Sequence, residues 1–496
     1  MKFSRMLGIA LGAALAVGSA SAQSWTPVNN VPNIGAGAAA LLTDGRVLIH
    51  DESGNTGTWG NWWTLTPDNT GSYAHGTWAQ VATMPSGYGP LYFASAVLPD
   101  GRYVVEGGEY NLGHDAFTNM GAIYDPVANT WTSVTPPAGW SQIGDASSSV
   151  LSNGTWMLGS CCVNPPVSAL FNPTTLGWTA TGTGKFDVYD EEGITLLPGG
   201  NLLDADAYVF KYQANGMNWE LYNPSTGAWT SEGNTPVQLW DSAANCGGSS
   251  RASYEEGPAV LMPNGTVFAT GANSCGAGHT AIYNVSTSSW TAGPDFPGTL
   301  DIADGPAALE TNGNVLMMTS PGIFGFGAEF FEWNGSALSQ VTGPPNAPSD
   351  SSYYGHLLML PTGQVLFTDF SNDVELFNSA GSNYTGWQPT IILGTAVLSR
   401  GQSFRINGFK FNGASQDGAY GDDYQDATNY PLVRFTNVSS GHVVYAHTHG
   451  FSSMPVGYQG PSYATVDIPS TLETGATNLQ VVVNGIVSPN YTIGIN

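Results

Sequence analysis

Basic residues are scarce in this 496-residue chain: 11 Lys and Arg stand against 37 Asp and Glu, a formal net charge of −26. That excess repels nucleic acid and anionic membrane surfaces, which excludes partners of either kind. Past residue 22 no apolar run approaches the roughly 18 residues that a membrane span needs. A helical period of any length is missing too, and 64 Gly with 31 Pro describe a turn-dense, all-β chain. Cysteine is limited to Cys161, Cys162, Cys246 and Cys275.

One apolar stretch does exist, at the start. Lys2 and Arg5 lead into apolar residues from Met6 to Val17 and small residues ending in Ala20-Ser21-Ala22. This pattern predicts a secretory signal peptide over residues 1–22 and a secreted product, extracellular or periplasmic. In such a compartment an even number of cysteines points to disulfides. Cys246 and Cys275 bracket one hairpin and are expected to bridge it. For the adjacent Cys161 and Cys162 three readings stay open: separate partners, a strained bond between neighbours, or a soft metal.

Seven times the chain repeats one phrase, in which an apolar strand, a Gly-closed turn and a second apolar strand follow a small or acidic residue. Its clearest copies are Leu91–Gly108, Glu256–Gly271 and Asp304–Thr319. The turn glycines are Gly45, Gly101, Gly154, Gly200, Gly265, Gly313 and Gly363. A period of about 50 residues is that of kelch-type blades and predicts a seven-bladed β-propeller over residues 23–388. An aromatic and a Trp follow each hairpin, seven residues apart in Tyr124–Trp131, Phe171–Trp178, Tyr222–Trp229 and Tyr283–Trp290. These read as the third and fourth strands of a blade, packing against each other. Trp25–Val28 reads as a stray fourth strand that joins the last blade and covers its edge.

After Trp387 the repeat stops. Residues 389–496 alternate in short strands (Phe404–Phe409, Leu432–Phe435, Val443–Ala446, Thr465–Ile468, Leu479–Val483), an immunoglobulin-like β-sandwich by size and strand count. Its acidic loop, Asp417, Asp422, Asp423 and Asp426, is either a Ca²⁺ site or a solvated loop, and its spacing matches no dedicated calcium loop.

Nine residues before each turn glycine, one layer of inner-strand residues should face the axis: Ala36, Tyr92, Asp145, Glu191, Glu256, Asp304 and Tyr354. Four consecutive carboxylates there cannot all ionise cheaply, which supplies an acid/base pair. The same rim is expected to gather Trp59, Trp62, Trp63, Tyr110 and His114 as a surface for sugar rings. His356, with His447 and His449, forms a candidate transition-metal set, since imidazole suits copper or zinc.

Blade one (AGAAALLTDGRVLIHDES) and the linker into the sandwich (QPTIILGTAVLSRGQSFRING) are similar in phrase and layout to galactose oxidase and the glyoxal oxidases. The resemblance spans nearly the whole mature chain. It implies a copper-ligand histidine carried to the axis on a hairpin of the last domain, which corresponds here to Ala446-His447-Thr448-His449. It also implies a Cys–Tyr radical cross-link, whose two positions hold Tyr92 and Asp145 in this chain. The family's adjacent Tyr and His are separated here by a glycine, Tyr354-Gly355-His356. A radical cofactor therefore lacks its redox tyrosine.

The functional expectation is a carbohydrate-handling mouth, either a glycoside hydrolase or a polysaccharide lyase. Asp145, Glu191, Glu256, Asp304, Tyr92 and Tyr354 are its candidate catalytic groups. Two alternatives are a copper-dependent oxidase and a non-catalytic glycan-binding or scaffold protein. The cofactor is expected to be Ca²⁺ held by carboxylates or a copper or zinc ion held by the histidines.

Overall fold

A computed structural model describes residues 23–54, 57–207, 218–242, 252–421, 423–424 and 426–496. The expected signal peptide, Cys246 and Asp422 lie outside the described residues. Among those described, the chain is all-β, broken only by three single-turn 3₁₀ segments.

The hairpins begin with local chemistry. In the first two, the turn glycines Gly45 and Gly101 take φ of +79° and +84°, a region that residues with a Cβ avoid. The preceding aspartates cap the same turns, accepting from Arg46 N and Arg102 N at 3.1 Å. Each hairpin forms the inner part of an antiparallel sheet of at least four strands, such as Ala94–Val97, Tyr103–Glu106, Gly121–Asp125 and Thr130–Val134. Burial falls outward along such a sheet. Its first two strands are fully buried and its fourth is mostly exposed. Small apolar residues fill the crowded inner strands, as in Ala36–Leu41.

The aromatic pairs spaced by seven residues are direct cross-strand partners: Tyr124 with Trp131, Phe171 with Trp178, Tyr222 with Trp229 and Tyr283 with Trp290. Their ring centroids lie 4.9–5.3 Å apart. Each contact adds about 0.5–1.5 kcal/mol beyond area burial.

The first strands of seven such sheets neighbour one another in cyclic order, from Ala36–Leu41 round to His356–Met359 and back. In the last sheet the outermost strand is Ser24–Pro27, paired with Glu375–Asn378. The first and last parts of the ring are thus joined by hydrogen bonds rather than by packing alone.

Residues beyond Pro389 form two further sheets. One contains Thr390–Ile392, Ser403–Phe409, Thr448–His449 and Pro461–Asp467; the other contains Leu432–Asn437, Val443–Ala446, Gly475–Val483 and Tyr491–Ile495. Ile406 and Val466 from one sheet, and Val433, Phe435, Leu479, Val481 and Ile493 from the other, share a single apolar cluster. This pair of sheets rests on the hairpin turns of the ring. Tyr430 Oη donates to Leu41 O, Thr448 N donates to Thr43 O at 3.2 Å, and Met454 N donates to Ser152 O at 2.9 Å.

From there one segment runs up through the ring. Gly418–Ala419 adds as a strand to the inner strand Ala307–Leu309. Gln416 Oε1 accepts from Leu196 N, its Nε2 donates to Ser149 Oγ, and Tyr420 Oη donates to Tyr353 O. Asp417, Asp423 and Asp426 are 1–2 % exposed. The solvated-loop expectation for these aspartates is therefore corrected. The loop is an axial plug, and Tyr420 and Tyr424 supply the aromatic surface that lets it pack.

Candidate functional site

At the end of the axis away from the hairpin turns, the first strands begin around a cavity of about 280 Å³. Tyr92, Glu109, Tyr110, Asp145, Glu191, Glu255, Asp304, Phe324, Tyr353 and Asp423 line it. Six of these ten are carboxylates, and none is basic.

The backbone is bent to present them. Tyr92, Glu191 and Asp304 precede the first strands of three different sheets and all have positive φ, +51°, +60° and +44°. Such a conformation costs about 1–3 kcal/mol per non-glycine residue, so the surrounding ring must hold it in place. Asp423 reaches the same cavity from the plug, beside Tyr424, whose Oη accepts a hydrogen bond from Tyr92 N at 2.9 Å.

Electrostatics follow from crowding and burial. One ligand oxygen each from Glu191, Glu255 and Asp304 lie within 4.8 Å of one another. Burial, then repulsion from Asp304, holds Glu255 well above the usual carboxylate range. Burial, then Asp190, does the same to Asp145, and burial with Asp304 to Asp423. Asp304 is pushed up to about 6 by burial. Glu109 reaches about 7, through burial and then the charges of Asp304, Asp115 and Asp190.

A second carboxylate cluster beside the axis surrounds a single cation. Lys185 Nζ, fully buried, lies 2.8–3.3 Å from carboxylate oxygens of Asp187, Glu192, Asp204, Asp206 and Glu220. Glu256 belongs to this neighbourhood, accepting from Gly193 N at 3.3 Å.

The residues expected at the mouth divide accordingly. Asp145, Glu191, Asp304, Tyr92 and Tyr110 line the cavity; Glu256 and Tyr354 do not, and their neighbours Glu255 and Tyr353 do. Consecutive strand residues face opposite ways, and a register irregularity between Glu256 and Ala259 upsets a count made back from the turn. Tyr354 packs on Phe326, Tyr353 and Phe370. Trp62 is wholly buried, stacked on His50 at 4.5 Å. Trp63 packs against the ring's core, and Trp59 lies against Gly89 and Gly113. His114 is exposed on a two-residue strand.

The histidines do not converge. His356 is buried under the cavity, stacked on Tyr420 and edge-on to Tyr424, and burial lowers its pKa to about 4. His447 lies beside Gly101, at the opposite, hairpin-turn end of the ring, where it and His449 face Asp467 at 3.0 and 3.3 Å. The expectation that either reaches the mouth is corrected: strand pairing with Pro461–Asp467 keeps this hairpin on the sandwich, and the plug takes the axial place. Glu255, Tyr353 and Phe324 were not singled out from sequence as catalytic or binding groups, and Asp423 only as part of a loop that is either a Ca²⁺ site or solvated. The Glu-Glu and Tyr-Tyr doublets are the signal for the first two, since two adjacent residues just ahead of an inner strand point to different surroundings.

Cys275 is disulfide-bonded, and its expected partner Cys246 lies outside the described residues. Cys161 and Cys162 are free thiols next to Asp145 and Asp190.

No family model matches the sequence, and no curated protein matches it. Among solved structures the chain is similar to a novel fungal alcohol oxidase of the AA5 family in complex with copper. The match has 12 % identity and a TM-score of 0.50, covering 97 % of this chain and 100 % of that one. A looser match is the extracellular domain of a hybrid two-component system from B. thetaiotaomicron, at 10 % identity and a TM-score of 0.45, covering 96 % and 59 %. The first supports a galactose-oxidase-like architecture at the level of fold. Copper itself does not fit this lining: the cavity offers carboxylates and phenols without an imidazole.

Proposed function

We propose that the chain is a secreted seven-bladed propeller (residues 23–388) seated on an immunoglobulin-like sandwich (389–496). Its axial mouth acts on an extracellular carbohydrate by carboxylate acid–base chemistry, as a hydrolase or lyase. The cyclic order of the inner strands supports the propeller, and the shared core of the last two sheets supports the sandwich. Among the described residues no helix is long and apolar enough to cross a membrane.

One observation carries the reaction class: carboxyls of unequal proton affinity face one cavity walled by Tyr92, Tyr110, Tyr353 and Phe324. At neutral pH Glu109, near 7, is in part protonated and serves as general acid, while Asp304, near 6, is mostly ionised and serves as base or nucleophile. The aromatic walls offer faces on which sugar rings stack. In the lyase variant, ionised Asp304 takes the proton next to a uronate carboxyl, the glycosidic C–O bond breaks as the double bond forms, and Glu109 protonates the departing oxygen.

Turnover of a polysaccharide panel tests this. Glu109→Gln should lower kcat by about 100-fold or more, with the melting temperature nearly unchanged. Full activity in that variant overturns the assignment. Glycans that bind equally to both proteins and are never cleaved favour a binding module instead.

A further inference from the structure

We propose that His447, His449 and Asp467 form a binding site for a borderline divalent cation of the zinc class. The site lies on the last two sheets, where they meet the hairpin turns of the ring. It stands whether or not the axial mouth is catalytic.

Strand pairing builds it. Thr448–His449 runs antiparallel to Pro461–Asp467, with Thr448 opposite Val466 and His449 opposite Thr465. Asp467 N donates to His447 O at 2.9 Å, which sets Asp467 opposite His447. Residues two apart share one face of a strand, and opposite residues share a face across strands. Both imidazoles and the carboxylate therefore emerge on the same side.

There the side chains meet. His447 Nδ1 lies 3.0 Å from Asp467 Oδ2, and His449 Nε2 lies 3.3 Å from Asp467 Oδ1. Ligand atoms about 2.1 Å from a tetrahedral ion sit about 3.4 Å from one another, so each nitrogen already stands near ligand spacing from the carboxylate. The imidazoles stack with centroids 5.3 Å apart and planes 20° from parallel. One nitrogen of each and one Asp467 oxygen are mutually within 4.8 Å. His449, with a side chain 33 % exposed, has room to turn and close the remaining gap.

The flanks hold the ligands in place. Ser403 Oγ donates to Asp467 Oδ1 at 2.5 Å and orients the carboxylate, as outer partners of metal ligands do. On the other side His447 packs against a hairpin turn, where a Cβ on Gly101 would lie 2.6 Å from its Nε2.

The donor set chooses the ion. Two imidazoles with one carboxylate suit zinc, whereas calcium takes oxygen ligands. An imidazole nitrogen binds through its lone pair while the ring proton sits on the other nitrogen, so the ion replaces two side-chain hydrogen bonds and leaves the strand pairing intact. The side chains are 16 %, 33 % and 41 % exposed, which leaves a fourth position for water.

Titration of the full chain with Zn²⁺ and, in parallel, with Co²⁺ reads the site. One saturable Zn²⁺ should bind, and Co²⁺ should show the visible absorption of a four-coordinate ion until Zn²⁺ displaces it. Affinity should fall at least tenfold in His449→Gln, with unchanged circular dichroism. Asp467→Asn is the second variant should His449→Gln fail to fold, and it should weaken binding in the same direction. Zn²⁺ should also raise the melting temperature of the wild type more than that of the variant. Unsaturable binding, or equal affinity in the wild type and the folded variant, overturns the proposal. So does binding that is lost only when Cys161 and Cys162 are alkylated, which places the ion on the thiols instead.

Discussion

Lys185 Nζ lies 2.8 Å from Glu192 Oε2 with both side chains fully buried, while the adjacent Glu191 lines the axial cavity. Two neighbouring residues just before the strand Ile194–Leu196 thus face different surroundings, one the Lys185 cage and the other the axial cavity. Replacing Lys185 by Met strands five buried carboxylates. Breaking a buried ion network from one side costs about 3–5 kcal/mol. Urea unfolding should show a loss of that size, and a loss below about 1 kcal/mol would mean that the carboxylates are already protonated.

Tyr424 couples the plug to the ring. Its Oη accepts from Tyr92 N, and Tyr92 holds a left-handed conformation at the mouth. Tyr424→Phe leaves that N–H unmatched and should cost about 1–3 kcal/mol. Stability measured by chemical denaturation, with hydrogen exchange at Tyr92, checks this. An unchanged exchange rate contradicts it.

Stability should fall as pH rises. Asp304 titrates near 6, Glu109 near 7, and Asp417 and Asp426 near 8, all raised chiefly by burial above the unfolded value of about 4. The folded chain therefore binds more protons than the unfolded one across this range. The stability these protons contribute is complete below about pH 4 and is lost progressively between about pH 4 and 8. The melting temperature should drop across that window. A rise through it contradicts the assignment.

The thiols give a count. Cys161 is buried, Cys162 is exposed, and Cys275 is disulfide-bonded. Native protein should label at one thiol and denatured protein at two. No labelling after denaturation would mean that the adjacent pair is oxidised.

How much of this is legible in sequence depends on how local the signal is. The all-β class, the hairpin turns at Gly45 and Gly101, and the Tyr–Trp partnerships are readable because each is set within a few residues. Ser24–Pro27 is readable as a strand because an isolated Trp-Thr-Pro segment has no partner nearby. The mouth is only half legible. Counting back from turn glycines finds Tyr92, Asp145, Glu191 and Asp304. It lands on Glu256 instead of Glu255, where a bulge shifts the phase, and on Tyr354 instead of Tyr353, where a 3₁₀ turn does. The plug is not legible at all: an aspartate-rich loop looks solvated until a ring closes around it. Which loop of the last two sheets enters the ring is a long-range packing outcome, and the Ala446–His449 stretch named by resemblance stays with its sheet.

The most direct measurement is turnover of a polysaccharide panel by the full chain and by Glu109→Gln, read beside the melting temperature of each. The account predicts cleavage that falls about 100-fold or more in a variant of unchanged stability. Equal turnover by the two proteins contradicts it.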